Sequence, residues 1–118
     1  MSITIEKITL HRISLPLKSP FRTSYGMMTH KDAVIVRLKT TEGVVGWGEA
    51  SMQADPGYDP ETLVTGEHIL ADFLMPLVLG QTINDPTDVP MLLQSVRGNT
   101  FAKAGLEAAI WDAFAKSE

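Results

Sequence analysis

The chain has 118 residues, enough for about one domain with a real core and little surplus for deep pockets. Hydrophobic residues are 44% of it and charged residues 20%, which excludes a disordered or fibrous chain. With 10 basic against 14 acidic residues and no Lys/Arg cluster, a nucleic-acid partner is not expected, and the absence of cysteine removes disulfides, thiolate zinc sites and thiol nucleophiles.

No apolar run approaches the roughly 20 residues of a membrane-spanning helix, so no membrane partner is expected. Residues 1–7 carry no signal-peptide pattern, because alternation sets in at once. A cytoplasmic location is the expectation.

The first third reads as β. Ile3, Ile5, Ile8, Leu10, Ile13 and Leu15 alternate with polar residues, and the apolar phase slips after Ile5 and after Leu10. Each slip predicts a bulge or a bend, since a shift of one residue turns every side chain to the other face. Pro16 is expected to end the run. Residues 17–31 show no period and read as a loop, although Phe21, Tyr25, Met27 and Met28 are apolar. Such residues either tuck onto the core or form a lid over a ligand.

A hairpin follows. Val34, Val36 and Leu38 share one face of a strand over 33–39, the turn lies near Gly43, and the return strand is 44–50. Gly46 and Gly48 lie on one face of that strand, which predicts close approach of another element. Residues 51–60 read as a second loop. Asp59 and Pro60 predict the start of a helix running to about Leu79, with Leu63, Leu70, Leu74 and Leu77 on one face and Gly80 closing it. Pro76 predicts a kink or an early end. A short helix is expected to begin at Asp85 or Asp88 and stop at Gly98. Asn99 and Thr100 are expected to cap a last helix whose stripe is Ala102, Leu106, Ala109, Ile110 and Ala113. Its glycine, Gly105, predicts a close neighbour. That helix reaches Glu118 with no stop signal and reads as truncated. Three strands and then three helices predict an α+β fold: a three-stranded antiparallel meander followed by three helices.

No self-contained chemistry is visible. There is no nucleophile elbow, phosphate loop or H-E-x-x-H motif, and His11, His30 and His68 are isolated. Asp55, Asp59 and Glu61 lack a calcium-loop pattern, and capping accounts for Asp59 and Glu61. Glu49 ends a strand next to a loop. It is either a base or, more simply, a polar anchor for the loop. Arg22 is either a solvated loop residue or a carboxylate binder.

Three segments carry a resemblance. They are P-L-K-S-P-F-R-T-S-Y-G at 16–26, G-V-V-G-W-G-E-A at 43–50, and G-N-T-F-A-K-A-G-L-E-A-A-I-W-D-A at 98–113. In this order the chain resembles the N-terminal capping domain of the enolase superfamily, in the muconate-lactonizing-enzyme subgroup. It is most similar to the o-succinylbenzoate synthase/N-acylamino acid racemase family. The resemblance implies that residues 1–118 are the capping domain and that a C-terminal barrel, absent here, is its partner. That barrel would supply two lysines as acid/base groups and three carboxylates holding Mg²⁺, so this chain would hold neither catalytic residues nor metal. The implied activity is dehydration to o-succinylbenzoate for menaquinone synthesis, racemisation of N-acylamino acids, or both. Alternatives are dipeptide epimerisation, muconate cycloisomerisation, or a free-standing, non-catalytic binding module. The two loops would close over the barrel mouth and a small carboxylate substrate. Phe21 would be an apolar wall, Arg22, Thr23, Ser24 and Tyr25 would shape or latch the first loop, and Met52 and Gln53 would come from the second. A homo-oligomer is implied for the full-length enzyme, and no turnover for this chain alone.

Overall fold

The computed structural model describes residues 1–23 and 26–118. Strand β1 spans Ile3–Thr23, β2 spans Gly26–Thr40 and β3 spans Val45–Ala50. Helix α1, Leu63–Ile69, passes through a π-helical turn, Leu70–Leu74, into α2, Met75–Val78. A two-residue strand, β4 at Thr82–Ile83, precedes a 3₁₀ turn at Pro86–Asp88, α3 at Val89–Leu93 and α4 at Thr100–Lys116. The sheet is antiparallel with the order β3-β2-β1-β4.

The α+β class stands, with a correction to the strand count. Among the described residues the sheet has four strands, not three, because β4 pairs Ile83 and Thr82 with Ile3 and Thr4. Two residues are too few to display a period. The segment read as a loop over 17–31 is also corrected: its described residues belong to β1, which reaches Thr23, and to β2, which begins at Gly26. Pro16 pairs with His30, and Phe21, Arg22 and Thr23 pair with Met28, Met27 and Gly26. Pro16 and Pro20 lack N–H groups, and the register shifts between Pro16 and Phe21. The prolines therefore mark an irregularity, while pairing with β2 carries the strand onward.

The first expected phase slip is a bulge. Ile5 faces Thr40 and Lys7 faces Lys39, leaving an extra residue on β1. The second is not: pairing is continuous from Leu10 to Ile13. Arg12, opposite Val34, keeps the core-side phase at the margin of the core, and its Nε lies 2.9 Å from Glu67 Oε2 on α1. A charged residue thus sits where the alternation calls for an apolar one.

The core lies between the sheet and the helices. Val34, Val36 and Leu38 from β2 meet Leu106, Ala109, Ile110 and Ala113 from α4, all fully buried. α4 lies across β3 because Gly46, Gly48 and Gly105 remove the side chains that would separate them. A Cβ on Gly48 would stand 2.7 Å from Ala109 N and closer still to Gly105 O, and one on Gly105 would stand 2.8 Å from Ala50 N. The close approach anticipated at these glycines is present.

Helix starts depart from expectation in instructive ways. α1 is capped by Thr62, not Asp59. The Thr62 hydroxyl accepts from Thr65 N–H at 3.2 Å and the Thr65 hydroxyl accepts from Thr62 N–H at 2.9 Å, forming a capping box. Asp59 instead accepts from Glu61 N–H at 2.9 Å. Pro76 neither breaks nor shortens the helix. Met75 N–H reaches Leu70 C=O across the π turn, which loosens the coil just before the proline. Leu70, Leu74 and Val78 are fully buried, while Phe73 is exposed. Asp85 is the cap of the 3₁₀ turn, accepting from Thr87 N–H at 3.0 Å, and α3 ends at Leu93 well before Gly98. Asn99 takes a left-handed conformation (φ 56°) and offers no side-chain cap to α4. Glu61 does so instead: its carboxylate accepts from Phe101 N–H at 2.9 Å and Ala102 N–H at 3.1 Å.

Candidate functional site

β3 stops at Ala50, opposite Val34, while β1 and β2 continue as a two-stranded ribbon. The segment after β3 turns back beside this ribbon. It is closed at its base by a parallel bridge between Gln53 and Thr62 and by Leu63 N–H donating to Gln53 C=O at 2.9 Å. Glu61, gripping the start of α4, anchors the far end of the same segment. Between ribbon and segment lies an open cleft of about 220 Å³, lined by Met28, His30, Lys31 and Asp32 on one side and residues 51–55 on the other.

The side chains expected at a lid divide between several environments. Phe21 is 60% exposed and pairs with Met28, so the two share a ribbon face. Met28 lines the cleft and its sulfur accepts from Gln53 Nε2 at 3.9 Å. Phe21 and Gln53 therefore belong to one side of the molecule. Arg22 pairs with Met27, which places it on the opposite ribbon face. Thr23 is placed through its backbone, opposite Gly26, while Ser24 and Tyr25 lie outside the described residues. Met52 is 1% exposed and packs against Gly66 of α1. In this chain it is a core residue, and Gln53 is the neighbour that reaches the ribbon. Period-two alternation after Ala50 carries this information, since Ala50 and Met52 point inward.

Sequence reasoning missed Lys31 and Ser51. Lys31 Nζ lies 3.4 Å from Glu49 Oε2, and the Ser51 hydroxyl donates to the same oxygen. The Ser51 hydrogen bond, helped by the Lys31 charge, holds the Glu49 carboxyl below its ordinary range despite some burial. These contacts are those of a polar anchor, tying the ribbon and the second segment at one oxygen. Among the described residues no group of three or more His, Asp or Glu side chains is placed to hold a metal ion. None of the helices among these residues is long and apolar enough to cross a membrane.

The family model for the mandelate racemase / muconate lactonizing enzyme N-terminal domain matches residues 5–118. The chain belongs to this family. It is 46% identical over 116 residues to an o-succinylbenzoate synthase of Bacillus subtilis, covering 98% of this chain and 31% of that protein. It is 38% identical to an N-succinylamino acid racemase of Thermus thermophilus, covering 96% of this chain and 30% of the other. A crystal structure of an enolase superfamily member from Listeria innocua superposes with a TM-score of 0.92 at 39% identity, covering 98% of this chain and 31% of that one. The chain spans about a third of the length of the curated relatives it matches.

Proposed function

We propose that this chain is the capping domain of a larger Mg²⁺-dependent enolase-superfamily enzyme, and that the β1–β2 ribbon and the segment after β3 form its lid. Phe21 and Gln53 face the substrate, and Arg22, Thr23, Ser24 and Tyr25 shape or latch the first lid segment. Met52 supports this surface from behind. The acid/base lysines and the metal-holding carboxylates belong to a C-terminal barrel outside residues 1–118. The observation that carries the reading is the apolar ribbon. On the ribbon face it shares with Met28, Phe21 is 60% exposed, an unfavourable arrangement in water that closure of that face over a partner domain would relieve.

Within the family, the reaction proposed is dehydration to o-succinylbenzoate. The 46% identity with the Bacillus subtilis synthase favours it. Racemisation of N-acylamino acids is the second reading, favoured by the similarity to the Thermus thermophilus racemase. The test is to read the source gene past the Glu118 codon and assay the encoded protein for both reactions. A frame of about 200 or more further residues, as a barrel requires, with a Lys-x-Lys motif and Mg²⁺-dependent turnover, is expected. Phe21→Ala in that protein should raise KM several-fold with kcat held within about twofold, because it removes binding surface from the lid. A stop codon after Glu118, or a longer protein inactive in both assays, would overturn the reading.

A further inference from the structure

Glu49 joins the two lid segments. The ribbon beyond Ala33 has lost the support of β3, and a two-stranded ribbon is marginal by itself in water. One Glu49 oxygen meets a residue from each side: Lys31 Nζ on the ribbon at 3.4 Å, and the Ser51 hydroxyl at the start of the second segment. Farther out, Gln53 Nε2 donates to Met28 Sδ at 3.9 Å across the cleft. Lys31, Ser51, Gln53 and Met28 all line that cleft, and Glu49 is joined to it through Lys31 and Ser51. Glu49 itself is half-exposed and stands outside the core.

We propose that Glu49 is a positioning residue that sets the spacing of the two lid segments, and with it the width of the cleft presented to substrate. The proposal rests on reading these segments as a lid. Lys31 supplies a charge that holds the ribbon toward Glu49, and Ser51 supplies a hydrogen bond that holds the second segment. The two links are chemically separable. Glu49→Gln keeps an oxygen that accepts from Ser51 but removes the charge that attracts Lys31. Glu49→Ala removes both. An exposed ion pair adds little to global stability, so these changes should act on the ribbon rather than on the fold.

The test uses the 118-residue chain with ¹³C-methyl methionine and ¹⁵N labelling. In Glu49→Gln, amide order parameters at 28–31 should fall from about 0.85 toward 0.6, while those at 51–54 hold. The Met28 methyl shift should move toward its solvent-exposed value. Lys31→Met should reproduce this pattern, Ser51→Ala should loosen 51–54 alone, and Glu49→Ala should loosen both. The urea midpoint should stay at the parent value in all four. Unchanged order parameters and an unchanged Met28 methyl in Glu49→Gln and Lys31→Met would overturn the proposal. So would a global loss of midpoint in step with the local change, which marks a general structural role. No turnover is read, so this result stands apart from the activity assay that tests the capping-domain reading.

Discussion

Glu61→Ala should destabilise the domain far more than an ordinary surface change. Glu61 is 8% exposed and its two carboxylate oxygens accept from Phe101 and Ala102 N–H at 2.9 and 3.1 Å. These are two of the four orphan donors at the start of α4. Hydrogen bonds to a charged group contribute about 1.5–3 kcal/mol each, and a lost cap costs about 0.5–2 kcal/mol. The two descriptions overlap, and entering water relieves part of the loss. About 2–4 kcal/mol is therefore expected for Glu61→Ala. With an unfolding entropy of about 2.1 cal/mol/K per residue, a chain of 118 residues should lose about 8–16 °C in Tm. Glu61→Gln should fall between, since its carbonyl serves one N–H while its amide group opposes the other. Calorimetry of the three proteins measures this directly, and hydrogen exchange at Phe101 and Ala102 should accelerate in step. A Tm drop of less than about 3 °C in Glu61→Ala, with slow exchange retained at both amides, would refute the assignment of the α4 cap to this residue.

Two further outcomes follow from the packing and the charges. Gly48→Ala should cost about 1–3 kcal/mol by chemical denaturation, because the new Cβ meets backbone atoms of Gly105 and Ala109 that cannot rotate aside; an unchanged midpoint would mean that α4 shifts freely. Asp112 accepts from Trp47 N–H at 2.8 Å and pairs with Lys116 at 2.8 Å, and these contacts, the Lys116 bond first, depress its pKa. Its contribution is fully present above the unfolded carboxylate range near pH 4 and is lost as pH falls through the depressed folded value. A urea midpoint followed from pH 6 to pH 2 should therefore be flat at first and then fall, and Asp112→Asn should make the fall shallower. An identical acid slope in the variant would remove Asp112 from the account.

Much of the fold is legible locally. The Val34, Val36 and Leu38 face, the Gly43 turn and the Ala102-to-Ala113 stripe each follow from a period of 2 or 3.6 and appear as read. The glycines at 46, 48 and 105 announce a close contact before its partner is known. Local reasoning fails where the deciding partner is distant. Residues 17–23 and 26–31 have no period of their own, and they are strands because Phe21 and Arg22 find Met28 and Met27. Arg12 interrupts the alternation, and only Glu67 on α1 explains its place. Within the site, Phe21 and Gln53 were legible as lid residues to propose, but their shared side of the molecule was not.

By itself the sequence determined the class, the family resemblance, the core faces and the absence of thiol chemistry, because periodicity and residue chemistry are local properties. The tertiary structure alone decided that Met52 faces Gly66 and that Glu61 caps a helix forty residues away. It also decided that Glu49 meets both Lys31 and Ser51. A carboxylate satisfies its hydrogen bonds with whatever donors the fold brings within 3 Å or so, and chain separation does not enter that selection.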